Sequence, residues 1–528
     1  MAALIALLVF GIVFLLILIL RFKLQAFLAL ILVSVAVAAA SRVVNPDSVA
    51  LTQVAPTIVN SMGSALGFIA TIIGIGAIFG AILEHSGGTE SLANSMVRIF
   101  GVKRAPWAML LTGFIISIPV FLDVALVILA PLLFALARDT KKSYLIYGLA
   151  LCAGMAVTHA FVPPTPGPVA VAYILGVNLG WVILFGIAAG FPTAVICGPW
   201  LCTKLAGTVE VPEPETEAAE NLQQSKLPSF GFILFLIAFP IGLILANTIV
   251  EQVVASGLPE CAVFIDAPSD VDFAATDEPV LAENEKLGVT ANFEVVVAGT
   301  DGSVLRTVPD AKYLGKPVGG ERNKQRSTQL KTALANASPF HQFVIFIGHP
   351  VIALLLSTLM AIYFLGTQRG VDKETLLEIS TKALGPAGII ILITGAGGVF
   401  KGVLKETGIT KALELAFSET GISVLVLAYV FATLIRIAQG SATVAMLTAA
   451  GLMVGFVDGF SQPQLALITI AIAAGATGFS HVNDSGFWMI SRYLRMSEAQ
   501  TLKTWSVIST AISIVGFLIT LLLWQFVG

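Results

Sequence analysis

The sequence predicts an all-α polytopic membrane protein made of two inverted repeats, each with five spans plus a re-entrant hairpin. Three observations carry this prediction. Of 528 residues, 57% are hydrophobic and only 12% charged, with a mean hydropathy of +0.93; a soluble chain carries about 25% charged residues. The apolar stretches fall as six followed by six. The basic residues collect on one face only if the fourth stretch of each six returns to its own side. The first observation alone excludes a soluble enzyme, because charged residues drop to about 8% outside 209–228 and 259–342.

The first stretch, Ala2 to Leu20, has no positive charge before it and has Arg21 and Lys23 after it. It reads as a retained span with its N-terminus outside, not as a cleavable signal. Stretches at 24–40, 57–84, 105–138, 144–175 and 180–206 follow, then 229–254, 343–366, 384–407, 421–456, 464–494 and 506–527. A span needs roughly 20 residues, so 105–138 and 421–456 are too long for one helix and suit two half-helices folded into a hairpin. A shift of 321 positions lays GIGAIFGAILEHSG (74–87) on GAGGVFKGVLKETG (395–408), which with the shared order of segments indicates an internal duplication. With hairpins, and leaving out the 255–342 insert, sixteen basic residues lie on one face and only Arg42, Lys401, Lys405 and Lys411 on the other; with single spans the division is 11 against 9. Five crossings per repeat, an odd number, set the repeats in opposite orientations, the plan of secondary transporters.

The expected organisation is a first transmembrane repeat over 1–208, a cytoplasmic acidic linker over 209–228, and a second repeat over 229–258 and 343–528. A periplasmic insert occupies 259–342. Its ANFEVVVAGTDGSVLRTV (291–308) alternates like two strands around an Asp-Gly turn, so a small β-rich module is expected there. Both termini fall on the same outer side. Net charge of −3 and the lack of a basic, aromatic platform exclude nucleic-acid binding. Cys152, Cys197, Cys202 and Cys261 lack metal-ligand spacing, and neither a metal nor a cofactor is expected.

A charge near the bilayer centre costs on the order of 3 kcal/mol or more, so internal ionisable groups ask for a reason. They are Asp123 in the first hairpin, Arg436 in the second, His159 in the fifth segment, and His481 with Asp484 in its counterpart. Pro163, Pro164, Pro166 and Pro168 must unwind the fifth segment at mid-membrane. SHVNDSG (480–486) unwinds its counterpart, because its side chains compete for backbone hydrogen bonds. Pro119 and Gly440 open the hairpins. Irregular backbone at this depth survives only where it lines a polar cavity, so the four breaks are expected to converge on one anion site. Each candidate has a duller reading. Arg436 could simply partner Asp123 or Asp484, the histidines could be satisfied core residues, and Ser441, Thr443, Ser480 and Ser485 could bond carbonyls of their own helices. Glu84, His85, Glu251 and Lys401 lie near segment ends, can snorkel, and receive no role.

HVNDSGFW (481–488), RIAQGSATVA (436–445), PVFLDVALVILAPL (119–132) and HAFVPPTPGPVA (159–170) resemble the gluconate:proton symporter (gluconate permease, GntP) family of the ion transporter superfamily. The resemblance covers 1–258 and 343–528; the insert is longer than the family leads one to expect. It implies import of gluconate, or a related sugar acid or small hydroxy acid, by proton symport. Superfamily analogy adds alternating access, in which a hairpin-bearing part moves against a scaffold, and a homodimer in the bacterial inner membrane.

A sugar acid offers one carboxylate and a row of hydroxyls. Arg436 can grip the carboxylate with two parallel bonds, and Gln439, Ser441, Thr443, Thr165, Asn483 and Ser485 are placed to reach hydroxyls. Proton coupling needs a group that titrates with the side that is open. Asp484 beside His481 is the first choice and Asp123 the second, with His159 as a further candidate. The rivals are sodium coupling on the same fold, an intramembrane aspartyl enzyme using Asp123 and Asp484, and a cation/proton antiporter. Uptake of labelled gluconate is expected to persist when choline replaces Na⁺ at fixed pH; loss of uptake would establish the sodium-coupled rival.

Overall fold

The computed structural model describes residues 2–46, 48–120, 122–211, 227–256, 260–265, 293–298, 304–308, 328–409, 423–457 and 460–527. Among these, eight helical segments are long and apolar enough to cross a membrane, and Gly88–Phe100 with Val102–Ile116 forms a further pair bent by 110°. The chain is a multi-pass helical membrane protein.

Ala2–Leu20 and Ala26–Val44 pack together, and the 35-residue helix Leu51–His85 follows. A second long helix, Lys373–Glu406, has 34 residues and lies against the first. At 1.5 Å per residue each reaches about 50 Å, more than the roughly 30 Å hydrocarbon core, so each tilts or projects beyond it. Each also gives way to a glycine of positive φ, Gly87 at +75° and Gly408 at +76°.

The expected break in 105–138 is present: Ala105–Ile116 and Leu122–Thr140 are separate helices with Pro119 between them. The fifth segment divides into Leu145–Phe161 and Pro166–Leu175, because three prolines within 163–166 remove the N–H groups a helix would need. Later in the chain, Val424–Gln439 and Ala442–Met453 are divided at Gly440, and Gln462–Thr477 is divided from Ser485–Tyr493. Leu179–Cys197 and Trp505–Trp524 pack against one another.

The packing has a regular scheme. Ala105–Ile116 lies on Leu145–Phe161, as Val424–Gln439 lies on Gln462–Thr477. Pro166–Leu175 lies on Ala442–Met453, as Ser485–Tyr493 lies on Leu122–Thr140. Glycine permits the first kind of contact: a Cβ on Gly154 would lie 2.1 Å from the Leu110 carbonyl oxygen, and one on Gly475 would lie 2.4 Å from that of Tyr429. Buried hydroxyls in these helices bond back to carbonyls one turn earlier, as Thr193 does to Ala189 and Ser357 to Ala353, which satisfies them without water.

A separate compact unit comprises 246–348 with 458–461. It contains strands Glu260–Ile265, Phe293–Ala298 and Val304–Val308. The first two pair in parallel and the last two antiparallel, with a register irregularity at Val297/Ala298. The Asp301-Gly302 turn and most of the 209–226 linker lie outside the described residues.

Gly154→Leu should push Ala105–Ile116 off Leu145–Phe161 and destabilise the protein by at least about 1–3 kcal/mol. The change is read by thermal unfolding in detergent. Gly242→Ala, where a Cβ meets nothing within 4 Å, should leave the transition unmoved.

Candidate substrate and coupling site

Gly440 ends Val424–Gln439 with φ +85°, and the Asn483 carbonyl oxygen lies 2.2 Å from where a Cβ would stand. Only glycine fits there on both counts. Its N–H donates to the Arg436 carbonyl at 2.8 Å, and Ser441 caps the next helix by accepting from the Val444 N–H at 3.4 Å. The second break holds Phe479 at φ +53° and ends at Asp484, which caps Ser485–Tyr493 by accepting from the Gly486 N–H at 3.0 Å. The two breaks are stitched together at the Ile437 carbonyl, which His481 Nε2 meets at 3.1 Å and to which Asn483 Nδ2 donates at 3.0 Å.

Arg436 is 3% exposed and Asp484 8%. Arg436 Nη2 donates to Asp484 Oδ2 at 2.5 Å, and its Nε donates to the Gly478 carbonyl at 3.2 Å. Ser480 Oγ donates to the same Asp484 oxygen at 2.5 Å and itself accepts from Trp505 Nε1 at 2.9 Å. The Ser480 backbone is held as well, its N–H by Ser509 Oγ at 3.3 Å and its carbonyl by the Ser506 hydroxyl. Asp484 therefore accepts from a guanidinium, a hydroxyl and a helix N-terminal N–H together, the donor set that would suit a bound carboxylate. Arg436 Nη1 and Gln439 Oε1 are buried with no hydrogen-bond partner among the described residues. One donor and one acceptor, a turn apart on the same helix, are thus left over.

The break between Ala105–Ile116 and Leu122–Thr140 forms a second cluster. Ser117, Pro119, Val120, His159, Thr165 and Phe79 line a cavity of about 20 Å³, room for one water. Thr165 Oγ1 donates to the Val162 carbonyl at 2.7 Å. Asp123 stands in the first turn of Leu122–Thr140, and its side chain lies outside the described residues. Thr443 and Ser485 occupy the first turns of their helices, Ser485 exposed. The structure thus gathers Arg436, Asp484, His481 and Asn483, with Gln439 and Ser441 adjacent, and sets His159 and Thr165 at the other break. Among the described residues no cluster of three or more His, Cys, Asp or Glu could hold a metal ion.

Sequence reasoning missed one contributor to the site and the surroundings of one lysine. Trp505 supports the site through Ser480, and nothing in its local sequence marks it. Lys401, expected to snorkel outward, instead donates from Nζ to the Tyr173 carbonyl at 3.4 Å and lies 5.7 Å over the Tyr173 ring.

Helices broken around a buried ion pair fit a membrane transporter, and the family model and relatives, all permeases or transporters, place the chain in that class and not among enzymes. The GntP family permease model matches residues 3–268 and 325–527, and the chain belongs to that family. Its relatives include the low-affinity gluconate transporter of Escherichia coli K12, 32% identical over 98% of this chain and 97% of that one. The gluconate permease of Bacillus subtilis 168 is 32% identical over 97% of each, and the inner membrane permease YgbN of Escherichia coli K12 is 34% identical over 97% of each. Among solved structures, the chain is similar to Neisseria gonorrhoeae MtrF, described as one of a class of antimetabolite efflux pumps, with TM-score 0.55 and 14% identity over 89% of this chain and 83% of that one. It is also similar to the Alcanivorax borkumensis YdaH transporter, with TM-score 0.55 and 13% identity over 95% and 99%. At such identities these two speak for the fold alone.

Asp484→Ala strands the Arg436 charge and should cost about 3–5 kcal/mol of stability, whereas the double variant Arg436→Met/Asp484→Leu should recover most of it. Thermal unfolding of the three proteins in detergent checks this.

Proposed function

We propose that the protein imports gluconate, or a related sugar acid or small hydroxy acid, by proton symport with alternating access. The observation that carries this reading is that Asp484 occupies a carboxylate site in the chain's own interior, gripped by Arg436 and by the N-terminus of Ser485–Tyr493. A substrate carboxylate would take Arg436 by displacing Asp484. Arginine and aspartate together are neutral; the incoming anion would leave one uncompensated negative charge at membrane depth, which is costly. A proton on Asp484 restores neutrality, so one proton accompanies each carboxylate. On the return the empty site closes on its own ion pair. The free Arg436 Nη1 and Gln439 Oε1 suit the second carboxylate bond and a hydroxyl. Ser441, Thr443, Asn483 and Ser485, with Thr165 from the other break, extend the hydroxyl contacts. His481, His159 and Asp123 are the groups through which the proton reaches the site. The gluconate transporters and permeases among the relatives support the substrate class.

Alternating access rests on two inverted repeats of five spans and a hairpin, 1–208 and 229–258 with 343–528. The reciprocal packing of half-helices supports this, as does the recurrence of Gly87 and Gly154 as Gly408 and Gly475, each 321 positions on. The charge distribution favours an inner-membrane protein with both termini and the 259–342 insert periplasmic and the 209–228 linker cytoplasmic. Superfamily analogy favours a homodimer.

Proteoliposomes with an imposed pH gradient should accumulate labelled gluconate. Adding a membrane potential should barely change the rate, because each net charge moved would otherwise feel about 2.3 kcal/mol per 100 mV. Arg436→Gln should abolish uptake in a folded protein, and Asp484→Asn should abolish accumulation driven by the pH gradient. Near wild-type affinity in the first variant, or retained accumulation in the second, would overturn the assigned roles.

A further inference from the structure

The two long helices carry matching runs, FGAIL over 79–83 and FKGVL over 400–404, in which buried Phe79 answers buried Phe400 and Gly80 answers Lys401. At Gly80 no side chain fits: a Cβ would lie 2.1 Å from the Pro119 carbonyl oxygen, so the first hairpin's tip rests directly on the helix. The second helix carries a cation at that place. Lys401 Nζ has a single long bond, 3.4 Å, to the Tyr173 carbonyl and lies 5.7 Å over the Tyr173 ring. Tyr173 stacks on Phe68 with centroids 6.0 Å apart, and Phe68 meets the exposed His349 edge-on at 6.5 Å. Four helical elements thus bring one ammonium, two stacked rings and an imidazole together. Among the described residues Lys401 has no carboxylate within ion-pair distance, and its neighbour one turn on, Lys405, is of like charge.

A half-buried ammonium with two of its three N–H donors uncommitted calls for an anion. Stacked aromatic faces beside it suit the C–H face of a polyol chain, and an imidazole can exchange hydrogen bonds with hydroxyls. We infer that Lys401 and Tyr173, with Phe68 and His349, form a second anion subsite on the extracytoplasmic side, which receives the substrate carboxylate before Arg436 does. The inference rests on the sugar-acid reading above. It adds a residue that sets affinity and charge selectivity from outside, separate from the pair that couples the proton. The competing role for Lys401 is to neutralise the carbonyl end of Pro166–Leu175, a structural task indifferent to the substrate.

Uptake by wild type, Lys401→Gln and Lys401→Arg in proteoliposomes separates the two roles. The subsite requires Lys401→Gln to raise the KM for gluconate entering from outside at least tenfold with Vmax within about twofold, and Lys401→Arg to restore most of the affinity. It further requires that gluconamide, the neutral isostere, compete no worse against Lys401→Gln than against wild type. An unchanged KM with a lowered Vmax would overturn the subsite in favour of the helix-capping role. If Lys401→Gln does not fold, acylation of wild-type Lys401 by a succinimidyl ester, followed by peptide mass spectrometry, decides the matter. Gluconate should slow acylation at this lysine and glucitol should not; equal rates with both overturn the subsite. Absence of gluconate uptake by the wild type would instead refute the sugar-acid reading, an outcome distinct from either variant result.

Discussion

A guanidinium and a carboxylate buried at membrane depth have to be neutralised by one another, and the surrounding architecture follows from that requirement. Arg436 lies in the last turn of Val424–Gln439 and Asp484 caps Ser485–Tyr493, so the pair sits where both helices stop. Gly440 supplies the first stop and the Phe479–Asp484 bend the second. The freed backbone groups are then satisfied locally: Asn483 and His481 at the Ile437 carbonyl, Ser509 and Ser506 at Ser480, Asp484 at the N-terminus of its own helix. The pair and the breaks are thus one feature, since opening either without the other leaves polar groups exposed to a low-dielectric interior.

The two breaks are alike in backbone and different in chemistry. At the first, prolines do the unwinding and the lining is a histidine, small hydroxyls and apolar side chains around space for a single water. At the second, an ion pair fills the corresponding place. The helical framework sets where the chain opens, while the few residues at each opening differ. Gly80 and Lys401, in the matching runs FGAIL and FKGVL, differ likewise: one lets the Pro119 backbone rest on its helix, and the other carries a cation.

Much of the framework is legible in the sequence. Charge scarcity outside the loops, the six-and-six order and the proline cluster of 163–168 report directly on burial and on backbone hydrogen bonding, so the helices and their breaks were legible. The site was legible as a set of residue types, because ionisable side chains inside apolar segments are few. Their partners were not. Whether Arg436 would face Asp484, Asp123 or open space depends on how two bends are rotated, and hydropathy carries no such information. Trp505 lay beyond reach for the same reason, its role depending on Ser480 across the packing of two helices. Lys401 reads as a snorkelling residue because it lies near a segment end, but the neighbouring half-helix receives its side chain.

Trp505 Nε1 donates to Ser480 Oγ, and Ser480 Oγ donates to Asp484. A buried indole is therefore wired by one hydroxyl to the carboxylate at the centre of the site. Indole emission depends on what its N–H is bonded to. Under the proposed cycle, displacement of Asp484 from Arg436 would remove the acceptor of the Ser480 hydroxyl and so alter the surroundings of that ring. Trp505 is thus coupled through a single serine to the buried ion pair, although it lies on a different helix from either of its charges.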